Sequence, residues 1–195
     1  MLKETMFHAN TKKEWRDWLR KNHEKEKRVG LIVYKTHTKK PTITHREAIE
    51  EAICFGWIDT TIRRLDENRY IRFFAKRNKT SKWSSATLGY AKDLTKQKRM
   101  TPAGTLAYIA GLKKKTFDHG IAKNPTMPPD LENELNKSKK AKENFRNFAK
   151  SYKRTYLRWI EYAKTQQTRK KRISLVVQYA AVNNKFGFYP QGKKP

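Results

Sequence analysis

Cysteine is all but missing from this 195-residue chain. Cys54 stands alone, so an internal disulfide and a cysteine-rich zinc site are both excluded. It follows Ile49 and Ile53 at helical spacing and reads as a small buried apolar residue. Acidic residues are scarce too: 18 Asp and Glu stand against 46 Lys and Arg, a net charge of +28. Long apolar runs are absent. The longest, "ISLVVQYAAV", falls far short of a membrane span, and the opening "MLKETMFHAN" lacks the apolar centre of a signal peptide. The expectation is therefore a soluble, cytoplasmic protein with no transmembrane segment.

Signatures of chemistry are equally thin. There is no glycine-rich phosphate loop, no His-Glu-x-x-His and no pair of carboxylates in a shared setting. The five histidines are scattered. Ser81 and Ser84 have no histidine base placed near them by the pattern, and each reads more simply as a helix cap. No catalytic residue, metal site or cofactor is predicted.

Large rings and positive charge are abundant. The 9 Phe, 9 Tyr and 5 Trp supply enough bulk for a core despite a low apolar fraction of 36%. A field of +28 attracts polyanions at long range, and counterion release makes any such binding salt-dependent. The alternative is a general lysine bias that serves solubility.

Along the chain, helical spacing predicts a first helix over Thr11–His23, with Trp15, Trp18 and Leu19 on one face. "VGLIVYKT" reads as a buried strand. Thr44 and Glu47 form a capping box for a helix that stops at Gly56. Two β-like runs follow, Trp57–Ile62 and Tyr70–Arg77, around the polar loop Leu65–Asn68. "SKWSSATLGYAKDLTKQKR" and "PAGTLAYIAGL" then read as helices. That order is an α+β domain over residues 1–112. Residues 113–130, which open on three consecutive lysines and close on "NPTMPPD", read as a linker. Residues 131–184 read as three short amphipathic helices in a basic helical domain, and 185–195 as a basic tail.

Several passages carry a resemblance. "EEAICFGWID", "RYIRFFAKRNKTSKWSS", "KRMTPAG" and "SYKRTYLRWIEYAKTQQTRKKRI" resemble, in this order, the YdeI/OmpD-associated or bacteriocin-protection family, over roughly residues 7–180. The resemblance implies an α+β amino-terminal domain, a short helical carboxy-terminal segment, and a link to stress and antimicrobial-peptide resistance. The sequence departs from that family's pattern at Thr60, where a glycine is usual, and at Ala75-Lys76 before Arg77.

Two constellations could bind anions. Alternation along the second hairpin strand puts Ile71, Phe73 and Ala75 on one face, expected to be the core, and Tyr70, Arg72, Phe74 and Lys76 on the other. Trp57 and Asp59 would join the second set, with Ser81, Trp83 and Arg77 close behind and Asp59 within reach of Arg72. This set makes either a groove in which rings stack on bases and cations meet phosphates, a pocket for a small anionic ligand, or simply core under covering helices. The second constellation is "TRKKRI". With Thr168 as N-cap, Arg169, Lys170, Lys171 and Arg172 would crowd the positive end of a helix and favour an anion there, unless the helix begins earlier. Lys153, Arg154 and Arg158 could extend that patch. Residues 131–184 hold 14 basic and 4 acidic groups, a denser excess than the 25 and 12 of residues 1–112. The expected partner is DNA or RNA, bound with little sequence preference; an acidic protein or an anionic membrane surface is the alternative.

Overall fold

The computed structural model describes residues 4–185; the tail expected beyond them lies outside the described residues. The chain forms two compact units that divide between His119 and Gly120.

The first unit is α+β. Strand β1 (Met6–His8) leads into helix α1 (Lys12–Asn22), strand β2 (Arg28–Tyr34) and helix α2 (His45–Cys54). Strands β3 (Trp57–Arg64) and β4 (Arg69–Lys76) form the hairpin, and helices α3 (Ser85–Lys96) and α4 (Pro102–Leu112) follow. Local chemistry accounts for the helix starts. Thr11 accepts a hydrogen bond from the Glu14 amide, and Thr44 with Glu47 forms the expected capping box. Accepting bonds from Thr44 holds the Glu47 carboxyl below its ordinary value. Helix α2 ends at Cys54 with Phe55 as its cap, and the chain then turns at Gly56, whose φ of 74° belongs to the left-handed region that favours glycine.

Its exit is locked by the next helix pair. The Thr101 amide and hydroxyl both donate to the Cys54 carbonyl, at 3.0 and 2.7 Å, while the same hydroxyl caps α4. A Cβ on Gly104 would stand 2.1 Å from that carbonyl oxygen, so "KRMTPAG" encodes a close approach of α4 to the end of α2. Beneath them Glu51 is the one fully buried charged side chain among the described residues, bound by Arg16 at 2.6 Å and by Arg99.

The four strands run in the order β1-β2-β4-β3; β1 is parallel to β2 and the other pairs are antiparallel. Val29 lies opposite Phe74, Leu31 opposite Arg72, and Val33 opposite Tyr70, so these six residues share one face. That face meets α1. The rings of Trp15 and Phe74 are 5.3 Å apart, and Trp18 meets Trp57 edge-on at 6.1 Å. Phe74 and Trp57 are fully buried, and Tyr70 packs half-buried on the same core.

This corrects the expectation that Ile71, Phe73 and Ala75 form the core face while Phe74 looks outward. Alternation separates two faces but does not say which one a helix covers. Ile71 and Phe73 are buried on the other face, where the guanidiniums of Arg28 and Arg63 stand 4.2 and 5.1 Å from the Phe73 ring. Both sides of this central strand are packed, and the groove of exposed Tyr70 and Phe74 does not exist.

The second unit is helical: α5 (Pro129–Asn136), α6 (Lys139–Asn147), α7 (Lys150–Glu161) and α8 (Gln166–Ala181). Leu131, Leu135, Phe145, Tyr156, Ile160 and Val176 are among the residues of its separate core. One helix more is present than the spacing predicts. Helix α5 is short and begins with Pro129, so its prolines read as linker, although Pro at the start with Asp130 and Glu132 in the first turn favours a helix. Helix α8 starts at Gln166, capped by the Thr165 hydroxyl on the Thr168 amide at 3.1 Å. Thr168 is not the cap, and Arg169 to Arg172 lie in the second turn. The crowding of four cations on the helix's first turn is therefore corrected as well.

The packing of Phe74 makes a direct prediction. Phe74→Ala should lower the urea unfolding free energy of the first unit by about 3–5 kcal/mol, as for a large ring removed from a packed core. A loss under about 1 kcal/mol would mean that the ring is not core.

Candidate anion-binding pocket

Beyond β4 the chain enters a loop that is held at every step. The Arg77 amide donates to Gly56 O at 2.9 Å, its Nε to Trp57 O at 3.3 Å, and its Nη1 to Lys82 O at 3.1 Å. The Asn78 side-chain carbonyl accepts from the amides of Thr80 and Ser81 at 2.9 and 3.0 Å, which folds residues 78–81 into a tight turn. Ser84 then caps α3 reciprocally with Thr87. Between the turn and the cap sits Trp83, 5% exposed.

The Arg77 guanidinium lies 3.5 Å from the Trp83 ring centroid, a stacked cation–π contact. Helix α4 presses on the indole from another side: a Cβ on Gly111 would stand 2.4 Å from Trp83 Nε1, so only glycine fits there. Burial pushes the Arg77 pKa down to about 10, with Asp59 acting weakly in the opposite direction. The side chain remains a cation at neutral pH, but the hydrogen bonds it makes here go to carbonyl oxygens rather than to a carboxylate.

Around this stack opens a cavity of about 580 Å³. Its floor is apolar, formed by Trp83 with Ala107, Ala110 and Gly111 of α4. Its rim carries Lys79, Lys113 and Lys114 beside Arg77, and among the described residues no acidic side chain lines it. Lys114 Nζ donates to the Lys79 carbonyl and ties the two sides of the rim together. A concave site with one sign of charge and low-dielectric walls concentrates the opposite ion.

The residues expected to share a site divide. Arg77, Ser81 and Trp83 come together in this cavity. Trp57 does not line it: its indole is in the core, and its backbone carbonyl accepts from Arg77. Arg72 and Asp59 do pair, at 3.0 Å, but against the core, with the Arg72 side chain 11% exposed. Burial, and then the charge of Arg72, lowers the pKa of the neighbouring His45. Lys76 is exposed at the strand end and does not line the cavity. The rim lysines were missed in the sequence. For Lys113 and Lys114 the signal was "AGLKKK", small residues on a helix running into three cations, which reads as linker when no partner element is in view.

In the helical unit the expected phosphate-gripping residues also divide. Arg169 donates to both Asp130 oxygens, at 2.6 and 3.0 Å, and to Glu161 at 3.2 Å. Arg172 donates to the Trp159 carbonyl and stands over its ring at 5.1 Å. Arg158 is bonded to Ala122 O and the Tyr162 hydroxyl, and Lys153 to Arg146 O. These four are engaged in building the unit. Arg154, Lys170 and Lys171 are exposed.

Comparison with known families adds to this geometry. Residues 7–107 match the family described as a domain of unknown function, DUF8412. The chain belongs to that family. Residues 124–183 match the family described as bacteriocin-protection, YdeI or OmpD-associated, so the helical unit carries a YdeI/OmpD-associated domain. No curated protein and no solved structure matches the chain. The DUF8412 match contains Arg77, Ser81, Trp83 and Ala107 of the cavity; Ala110, Gly111, Lys113 and Lys114 lie between the two matched segments.

The Arg169–Asp130 bridge within the YdeI/OmpD-associated domain sets a pH dependence. Hydrogen bonds from Arg169 hold the Asp130 carboxyl below its ordinary value of 3.8. Its stabilising contribution is complete above that value and is lost as pH falls through the lower, folded-state pKa. The stability advantage of the wild-type chain over Asp130→Asn should therefore be constant near neutrality and shrink below about pH 4. Urea unfolding of both proteins from pH 7 to pH 2 checks this; an advantage independent of pH would contradict it.

Proposed function

We propose that the protein is a non-enzymatic, cytoplasmic binding protein whose partner is DNA or RNA, held with little sequence preference. The observation that carries this reading is the charge of the YdeI/OmpD-associated domain: residues 124–183 hold 14 basic and 5 acidic groups. Three of those acids, Asp130, Glu134 and Glu161, are already paired, with Arg169, Lys137 and Arg169 in turn. Five carboxylates cannot neutralise 14 cations, and Arg154, Lys170 and Lys171 stand exposed. Phosphate backbones are the polyanions that such a surface suits, and no base-reading motif accompanies it. Stacking by Tyr70 and Phe74 has no part in this reading, since both pack on the core. A role in stress resistance accords with the resemblance and extends the same proposal.

The expected behaviour is binding to mixed-sequence duplex at low salt, with log K falling linearly in log salt by about 0.9 per phosphate neutralised. Lys170→Gln with Lys171→Gln should flatten that slope by up to about one unit for each phosphate that is no longer neutralised. Affinities measured at several salt concentrations decide the matter. Absence of binding at low salt would remove the proposal.

A further inference from the structure

Helix α4 is apolar on more sides than its packing requires. Gly104 and Gly111 face the protein, yet Leu106 is 69% exposed and Ile109 47%. A helix apolar all round is normally buried or covered by something else. Leu106 stands one turn before Ala110, which lines the cavity beside Trp83, and Lys113 follows one turn after Ile109. An apolar ridge thus runs into a cavity whose rim is cationic.

A second, independent observation points into the same cavity. Arg77 is a largely buried cation whose guanidinium is stacked on Trp83 and bonded to the carbonyls of Trp57 and Lys82. Carbonyls take up two of its donors, but among the described residues no carboxylate contacts its charge, and burial accordingly holds its pKa down at about 10. An anion in the cavity would supply that counterion.

We infer that this cavity binds a small anionic amphiphile: an apolar body lying along α4 and Trp83, with a carboxylate or phosphate at the Arg77 and lysine rim. The volume of about 580 Å³ is that of a small-molecule site. Neither half of the site explains the other half's ligand alone. A purely inorganic anion would leave the apolar floor unused, and a neutral apolar molecule would leave the cations of the rim without a counterion. The source is a free molecule rather than a bilayer, because the apolar floor is concave. The inference does not rest on the nucleic-acid reading, since none of its residues belongs to the helical unit.

The test uses the full chain with dodecyl phosphate below its micellar concentration, followed by calorimetry. Saturable binding of one molecule is expected. Dodecyltrimethylammonium, with the same tail and the opposite charge, and inorganic phosphate, with no tail, should each bind at least about tenfold more weakly. Ala110→Trp fills the cavity from an exposed helix position and should abolish binding. Lys113→Gln with Lys114→Gln should weaken it about tenfold and serves if the first variant fails to fold. Lys170→Gln with Lys171→Gln should leave it unchanged, which separates this site from the nucleic-acid surface. Equal affinity for the two dodecyl probes, or undiminished binding by a folded Ala110→Trp protein, would overturn the inference. So would capture by phosphatidylglycerol vesicles unaffected by Ala110→Trp, with no binding of dodecyl phosphate in solution.

Discussion

The contact on which the first unit's candidate site depends is the stack of Arg77 on Trp83. Arg77 closes the strand it ends by donating to Gly56 and Trp57, at the beginning of the other hairpin strand. It then reaches forward to Lys82, and so fixes the loop that delivers Trp83. The indole is in turn the surface on which Gly111 seats α4, whose other end is pinned to Cys54 by Thr101 and Gly104. One guanidinium therefore couples the hairpin, the loop before α3 and the helix α4. The cavity is the space left beside that junction, and its cationic rim follows from the lysines that flank it.

Scarcity of acid organises the rest. Several of the carboxylates that the chain does have are committed to holding it together. Glu51 is buried between Arg16 and Arg99, Asp59 pairs with Arg72, and Asp130 with Arg169. Removing one partner from a buried pair such as Glu51 strands the other charge at a cost of about 3–5 kcal/mol, whereas exposed pairs contribute little. Carboxylates paired in this way, of which only Glu51 is fully buried, are taken up by their partners and leave the surplus of lysine and arginine uncompensated. The fold and the strongly basic surface are two consequences of the same distribution.

Much of the fold was legible because local chemistry and packing agree. The caps at Thr11, Thr44 and Ser84 mark helix starts, Pro102 heads the helix "PAGTLAYIAGL", and the hairpin runs bracket its loop. What was not legible depended on tertiary partners. The three-residue strand β1 is too short to show alternation, and α5 hides behind its own prolines. The sheet faces could be separated but not assigned, because Phe73 and Phe74 are both large, adjacent and buried. At "TRKKRI" the helix boundary decided everything: Thr165 and Thr168 are equally good caps by type, and three positions carry Arg169 from the first turn to the second. At the cavity, Arg77, Ser81 and Trp83 were singled out together, but Lys113 and Lys114, which complete its rim with Lys79, belong to a segment without a motif.

On the proposed reading, charge binds the nucleic acid and the rings pack. Proton–carbon correlation spectra of the full chain, titrated with a mixed-sequence single-stranded oligonucleotide, test it most directly by following lysine and aromatic side chains separately. Shifts are expected at Lys170, Lys171 and their exposed neighbours, with the ring signals of Tyr70, Phe74 and Trp57 unmoved. Ring shifts at Tyr70 and Phe74, of the size that base stacking produces, would contradict it.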